Sequence, residues 1–511
     1  MASYYLGIDI GTSGTKALVM DDKAKVLATA NGEHGISAPR PGWSEQDPAD
    51  WWNATVKAVR GALAKAKVDG QKIAGIGLSG QMHGLVITDD AGKPLRPSLI
   101  WNDQRTAKQA AEIEQTVGGK AKLIELVGNP AMTSYTLTKL LWVRQHEPRV
   151  YDRIKHLLLP KDYVRLCLTG EFCGDVSDMS GTLMLDQRTR KWSDKIISKF
   201  QLDRGYLPPV VESQEITGLV TKAAAAKLGI AAGVPVVGGA GDNQAAAIGN
   251  GVVNDGLTSA SIGTSGVVYT HTQKYHTDPQ GRVATFCSSV AGEYCMFGCV
   301  LSAGGSFQWY RNTMSQAEVA AAKKLKVDAY DLLIEQAKSA PAGCEGLFFL
   351  PYLTGERTPH ADPLAKACWI GIHSRTTRNE MVRAVVEGAT YAMNDVVTLL
   401  REMGSPIKQI RLTGGGARSE FWRQLQADIY GTTCVTINAE EGPAYGAALL
   451  GAVGTGLFKD VRTACKQAIS VTRTIPPQAK LKKFYANHYA QYARLYPALK
   501  EQFANIAGLH A

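Results

Sequence analysis

The 511-residue sequence has no window of about 18 uninterrupted apolar residues, the length a membrane-crossing helix requires. Its opening, MASYYLGIDIG, lacks a basic segment followed by a cleavable apolar run, so no export signal is read there and the cytoplasm is the expected address. The nine cysteines form no CxxC pair and no Cys/His array, and the closest two, Cys295 and Cys299, have no ligand set around them. That pattern excludes a structural zinc site and describes thiols kept reduced. The GxxxxGK[ST] spacing of a P-loop is also missing, which removes that class of nucleotide-binding protein. Although the formal charge is +10, the Lys and Arg residues are scattered, with their densest runs at 323–326 and 480–483. Without an arginine-rich stripe interleaved with aromatics, neither nucleic acid nor membrane is an expected partner. A mildly basic surface suits phosphorylated small molecules instead.

What is abundant is glycine, 52 residues, in a chain that is 45% apolar and 20% charged. This is the profile of an α/β protein with many tight turns, and its length predicts two domains of roughly 200 to 250 residues. Apolar runs at 4–10, 16–20 and 26–29, separated by turn-forming residues, predict a β-meander. Residues 47–67 open on Asp-Pro and then place apolar residues at helical spacing, and 73–78 reads as a buried strand. Strands linked by crossover helices imply a parallel or mixed sheet. The stretch 107–171 is mostly helical in pattern, and 234–239 is another buried strand.

After Leu257 the opening pattern returns: strand, Gly-Thr-Ser-Gly, strand. The match of Gly11–Gly14 with Gly263–Gly266 predicts an internal duplication, with domains at 1–250 and 251–511. In the second half, 381–401 is a long amphipathic helix, and the strand 409–413 runs through Gly414-Gly415-Gly416 into a helix at 419–430. A strand, glycine-rich turn and helix can face a phosphate. The tail after Phe458 has helical pattern and no readable chemistry.

Four constellations carry chemistry. In DIGTSGTK (9–16), Asp9 ends a strand and Thr12 and Ser13 lie in a turn whose amides and hydroxyls suit phosphate oxygens, while the acid suits a hydrated Mg²⁺. The same segment also reads as an ordinary hairpin with an Asx-type turn. Asp242 and Asn243 follow a buried strand, where open sheets place reactive groups, yet an aspartate there also makes a good helix N-cap. In SGQMHG (79–84), Met82 and His83, with Asn102 of the Trp-Asn-Asp stretch close behind, suit a ligand rich in hydroxyls; His83 alone reads equally as a structural histidine. Thr264, Gly304 with Gln308, and Gly415 open places where a nucleotide can approach the backbone, and Gly304 and Gly415 could hold an adenine between two helix starts.

DIGTSGTK, GLSGQMHG, WND, GGAGDNQ, SIGTSG and LTGGGARSEFWRQLQAD, in this order, resemble the FGGY family of carbohydrate kinases from Tyr5 to about Gly454. The resemblance implies two ribonuclease-H-like domains of the actin, hexokinase and Hsp70 type with a catalytic cleft between them. Sugar is then expected mainly on the first domain and ATP mainly on the second. It further implies Asp242 as catalytic base and Asp9 as second essential acid, touching Mg²⁺ through water. Met82, His83 and Asn243 are the implied sugar contacts. Thr12, Ser13 and Thr264 fall where the family meets the phosphates, and Gly304, Gln308, Gly415 and Ser419 fall around the adenosine. Some members carry Asn where Ser419 stands and an arginine near Thr133 or Ser134; this chain has neither. LLPKDY (158–163) and PYLTGERTPH (351–360), with GQMHG and WND, are most similar to the members that phosphorylate D-xylulose. The expected reaction is therefore ATP-dependent formation of D-xylulose 5-phosphate, with L-ribulose, a pentitol or glycerol as the alternative acceptor. A homodimer is the family-level expectation.

Overall fold

A computed structural model describes residues 3–439 and 441–509. Two seven-stranded sheets organise the chain, and each is laid out in the same way. In the first, Tyr4–Ile10 pairs antiparallel with Gly14–Asp21, which pairs with Val26–Glu33. On its other side Tyr4–Ile10 runs parallel to Ile73–Gly80. Pro235–Val237 follows in parallel, and the antiparallel Ile216–Leu219 closes that edge.

The second sheet repeats this order. Leu257–Ile262 pairs antiparallel with Gly266–Thr272, which pairs with Tyr294–Val300. On its other flank Leu257–Ile262 runs parallel to Gln409–Gly414, then come the parallel Cys434–Ile437 and the antiparallel Val471–Ile475. The predicted duplication is thus visible in strand order and in register: Asp9 lies opposite Ser79, and Ser261 lies opposite Thr413.

Local chemistry explains the elements around this frame. The helix Pro48–Ala66 starts where the Asp47 side chain accepts the Ala49 amide with proline at the first helical position, and it ends on left-handed Lys67. Arg378–Glu402, close to the predicted 381–401, begins with a Thr377/Glu380 capping box. The stretch predicted to be mostly helical is four helices before His156–Leu158, a short strand, and then Pro160–Thr169. The tail resolves into Val461–Ala468, the edge strand Val471–Ile475 and Ala479–Gly508. This last helix turns tyrosines onto Arg378–Glu402, where Tyr485 donates to Glu387 at 2.7 Å and Tyr489 to Asp395 at 2.8 Å.

The halves do not pack as separate blocks. Helix Gly442–Gly454, from the second half, lies on the first sheet, across Tyr4–Ile10 and Ile73–Gly80, and crosses Asp242–Gly249. A Cβ at Gly446 would overlap the carbonyl oxygen of Ala245, and one at Gly77 would overlap that of Ala447. Only glycine permits backbones to come this close. Both crossing helices begin at the floor of the cleft between the sheets, so their first residues face whatever binds there.

Candidate active site

Asp242 sits on that floor. Gly241 takes the N-cap position, and Asp242 is the first residue of the helix Asp242–Gly249 with its side chain left for the cleft. The N-cap reading is therefore replaced by one in which the carboxylate is available. Asn243 donates its amide to Asp242 Oδ1 at 3.1 Å and to the thioether of Met82 at 3.6 Å. Burial, reinforced by the charge of Asp9, raises Asp242 to about 7. Asp9 is also raised, by burial above all, against the opposing effects of the Ser79 hydroxyl, which donates to it at 2.9 Å, and of Lys16. Lys16 reaches across the cleft to Glu441 at 2.8 Å.

A cleft of about 870 Å³ holds Asp9, Asp242, Asn243 and Lys16 on its first-half side, with Ser261, Thr413 and Gly415 opposite. Gly415 and Arg418 also line a second cavity of about 300 Å³, so the two adjoin. This smaller cavity gathers five of the seven residues expected at the nucleotide: Thr264, Gly304, Gln308, Gly415 and Ser419. Its shape follows from backbone bonds. Gly304 N–H donates to Gly263 O at 3.0 Å and Gly305 N–H to Thr264 O at 2.8 Å, fastening the turn of the second sheet to the start of helix Ala303–Met314. Phe307, Tyr330 and Trp422 supply flat apolar walls.

The other expected residues sit nearer the acids. Thr12 and Ser13 form the turn after Tyr4–Ile10, outside both cavities, and Trp101 donates its indole N–H to Thr12 Oγ1 at 2.9 Å. Asn102, next to Trp101, is half-buried with its Oδ1 unpartnered. Asp103 is structural: it accepts the Ser44 amide at 2.7 Å and clamps Arg105. His83 has φ of 71°, a strained value for a non-glycine residue. Its carbonyl is pinned by Thr136 at 3.2 Å and Lys139 at 2.8 Å, both on helix Thr136–His146. Its Nδ1 meets Gly181 O at 3.1 Å. Burial, with the charge of Lys139, drives the ring down to about 3, so His83 is neutral: Nδ1–H donates to the carbonyl and Nε2 is left as an acceptor.

Sequence reasoning missed the support beneath Asp242. Lys161 is buried between Asp162 at 2.6 Å and Asp175 at 2.8 Å. Asp175 accepts the hydroxyls of Ser177 and Ser213, and Ser177 Oγ accepts the Gly241 amide at 3.4 Å. Asp178 completes the cluster, raised far above the ordinary carboxylate range by burial. These residues come from four separate segments, and only the Lys-Asp pair inside LLPKDY stands out in the sequence.

A cleft lined by paired acids and adjoining an apolar, glycine-walled cavity suits a phosphoryl-transfer enzyme working on a small molecule. The model for the N-terminal domain of the FGGY family of carbohydrate kinases matches residues 4–249, and that for the C-terminal domain matches 258–455. The chain belongs to the FGGY family of carbohydrate kinases. It is 37% identical over 501 residues to a xylulose kinase of Staphylococcus epidermidis, covering 98% of each chain. Among solved structures, the ligand-bound xylulose kinase of Lactobacillus acidophilus superposes with a TM-score of 0.91 at 26% identity, covering 99% of this chain and all of that one. The gluconate kinase of the same organism gives 0.92 at 26% with the same coverage. Fold similarity by itself therefore does not choose the sugar. Among the described residues no helix is long and apolar enough to cross a membrane, and no cysteine is disulfide-bonded.

Proposed function

We propose that this kinase transfers the γ-phosphoryl group of ATP to the terminal hydroxyl of D-xylulose, giving D-xylulose 5-phosphate, with Asp242 as general base. The observation carrying the reading is the position of Asp242. It lines the cleft with Asn243 and Asp9, beside Met82, and the cavity of Gly304 and Gln308 adjoins that cleft through Gly415 and Arg418. A nucleotide seated in that cavity directs its phosphates along the cleft toward the acids. D-Xylulose as acceptor rests on full-length relatives such as the one from Staphylococcus epidermidis.

Asp242 held near 7 is suited to accept the hydroxyl proton as the oxygen attacks phosphorus in line. Asn243 fixes the carboxylate rotamer and, by donating to Oδ1, directs the other oxygen to the incoming proton. Neutral His83 presents an acceptor to a sugar hydroxyl without adding charge. The described residues contain no cluster of three or more His, Cys, Asp or Glu side chains able to cage a metal. Two mutually repelling carboxylates fit a Mg²⁺ ion, which Asp9 would hold through water. Such an ion supplies charge neutralisation on the transferred group. The remaining contribution is positioning by the Gly263-Thr264 turn that lines the nucleotide cavity.

The test is coupled ADP release with Mg·ATP against D-xylulose, D-ribulose, L-ribulose, L-xylulose, glycerol and gluconate. A clear kcat/KM preference for D-xylulose is expected. Preference for gluconate or another member overturns the substrate and keeps the kinase, and silence across the panel overturns both.

A further inference from the structure

Behind the His83 turn lies a third cavity, of about 60 Å³, shared by the two halves. His83, Ser134 and Tyr135 form one wall, and Phe286, Cys299 and Arg357 form the other. Arg357 rides on a loop held rigidly to the second sheet. Thr358 N–H donates to Cys299 O at 3.1 Å, and Cys299 N–H to Thr358 Oγ1 at 3.2 Å. The neighbouring acid does not serve the guanidinium: Glu356 is 2% exposed, and its Oε1 accepts the backbone amides of Leu301 at 2.9 Å and Arg357 at 2.7 Å.

Among the described residues no acid lies within 4.0 Å of the Arg357 guanidinium and no hydrogen bond leaves it. Its charge is nevertheless felt by its surroundings: burial lowers His83 and raises Tyr135 and Cys299, and the nearby guanidinium adds to the first shift and opposes the other two. A half-buried cation bearing five N–H donors, with no acceptor of its own, awaits oxygen atoms from elsewhere. The contacts give the direction. Asp242 touches Asn243, Asn243 touches Met82, and Met82 adjoins His83, whose ring borders the Arg357 cavity.

We propose that Arg357 is a sugar-positioning residue contributed by the second half, binding oxygens at the end of the substrate remote from the phosphorylated hydroxyl. This rests on the assignment of Asp242 to the reacting hydroxyl. A planar guanidinium matches two oxygens on adjacent carbons, and the carbonyl and C1 hydroxyl of a 2-ketose are such a pair. A pentitol, with a hydroxyl in place of the carbonyl, offers a poorer acceptor. The sugar pocket is complete only when the loop carrying Arg357 is seated against the His83 turn.

The experiment is calorimetric titration of the whole enzyme with D-xylulose and the other panel sugars and, separately, with a non-hydrolysable ATP analogue. Arg357→Met and Arg357→Lys are compared with the parent. Arg357→Met is expected to lose about 10- to 100-fold in sugar affinity, the range for a hydrogen bond to a charged group. Analogue affinity and Tm are expected to stay within error. Arg357→Lys, which keeps the charge and loses the fork, is expected to lose at least about threefold in sugar affinity, and it decides the matter if the methionine variant does not fold. Unchanged sugar affinity, or equal loss of sugar and analogue affinity, overturns the proposal. If the parent binds another sugar and that binding needs Arg357, the role stands and the choice of D-xylulose falls.

Discussion

Replacing Asp242 by Asn should make the enzyme more stable and nearly inactive, and the two effects have one cause. Asp242 is moved from an ordinary 3.8 to about 7. Between those values the folded protein binds a proton that the unfolded chain has released. The cost of the raised carboxyl is therefore absent at low pH, grows as pH rises, and is complete above about 7. Three units correspond to about 4 kcal/mol as a ceiling. Because the side chain is partly open to the cleft, water relieves some of this, and about 2 kcal/mol is the expected gain at pH 8. For a half of this size, that is an upshift in Tm of about 4–8 °C. Asparagine still accepts from the Asn243 amide, so packing is retained. Melting should be followed by scanning fluorimetry from pH 5 to pH 8 in parallel with ADP release. The gap between variant and parent should widen with pH, while turnover falls by about 10² to 10⁴. Equal melting across this range would refute the claim that the carboxylate is held ionised at a cost, and full turnover would refute its role as base.

In the unmodified enzyme, kcat/KM should fall about tenfold per pH unit below about 7, as Asp242 takes up its proton; a flat profile to pH 5.5 assigns the base elsewhere. Gly415→Val should raise the KM for ATP at least about tenfold and leave the KM for sugar unchanged. The glycine has room for a Cβ, 3.6 Å from Ile262 O, and lines the cavity rather than a packed contact, so the added methyls occupy nucleotide space. Lys161→Met should cost roughly 3–5 kcal/mol in urea unfolding, because it leaves Asp175 and Asp178 buried without their cation, while Asp162 keeps Arg165 at 2.9 Å.

Much of this was legible in the sequence because its signals are local. The strand ending at Asp9, its Gly-Thr-Ser-Gly turn and the second copy at Gly263 are contiguous patterns, and so is the glycine turn ahead of Glu420–Tyr430. What could not be read depends on distant segments meeting. Helix Gly442–Gly454 is apolar on every side, which announces burial without saying against which sheet. Val471–Ile475 is an exposed edge strand with no alternation of apolar and polar residues, so nothing marked it. Arg357 reads in the sequence as one charged residue in a loop; its unpaired guanidinium beside His83 exists only because the two halves face each other. The N-cap reading of Asp242 was removed by one residue of backbone, with Gly241 occupying the cap position.

The duplication also explains why the halves differ in chemistry. Asp9, two residues before its turn glycine, corresponds to Ser261, and each stands opposite a hydroxyl residue on the next strand, Ser79 and Thr413. The crossing helices begin with Asp242-Asn243 in one half and Gly442-Pro443 in the other. Asp9, Asp242, Ser261 and Gly442 all line the same cleft. Both acidic positions of the first half are thus neutral in the second. At these two positions the second half offers turn amides and hydroxyls, its neighbouring Glu441 being paired with Lys16, whereas the first half offers two carboxylates. Repulsion there is useful at one place, the reacting centre, where a cation offsets it and a base near neutrality is required. On the proposed reading a carboxylate at Ser261 would place like charge against the phosphates along their path, so a second copy neutral at these positions suits the donor and an acidic first copy suits activation of the acceptor.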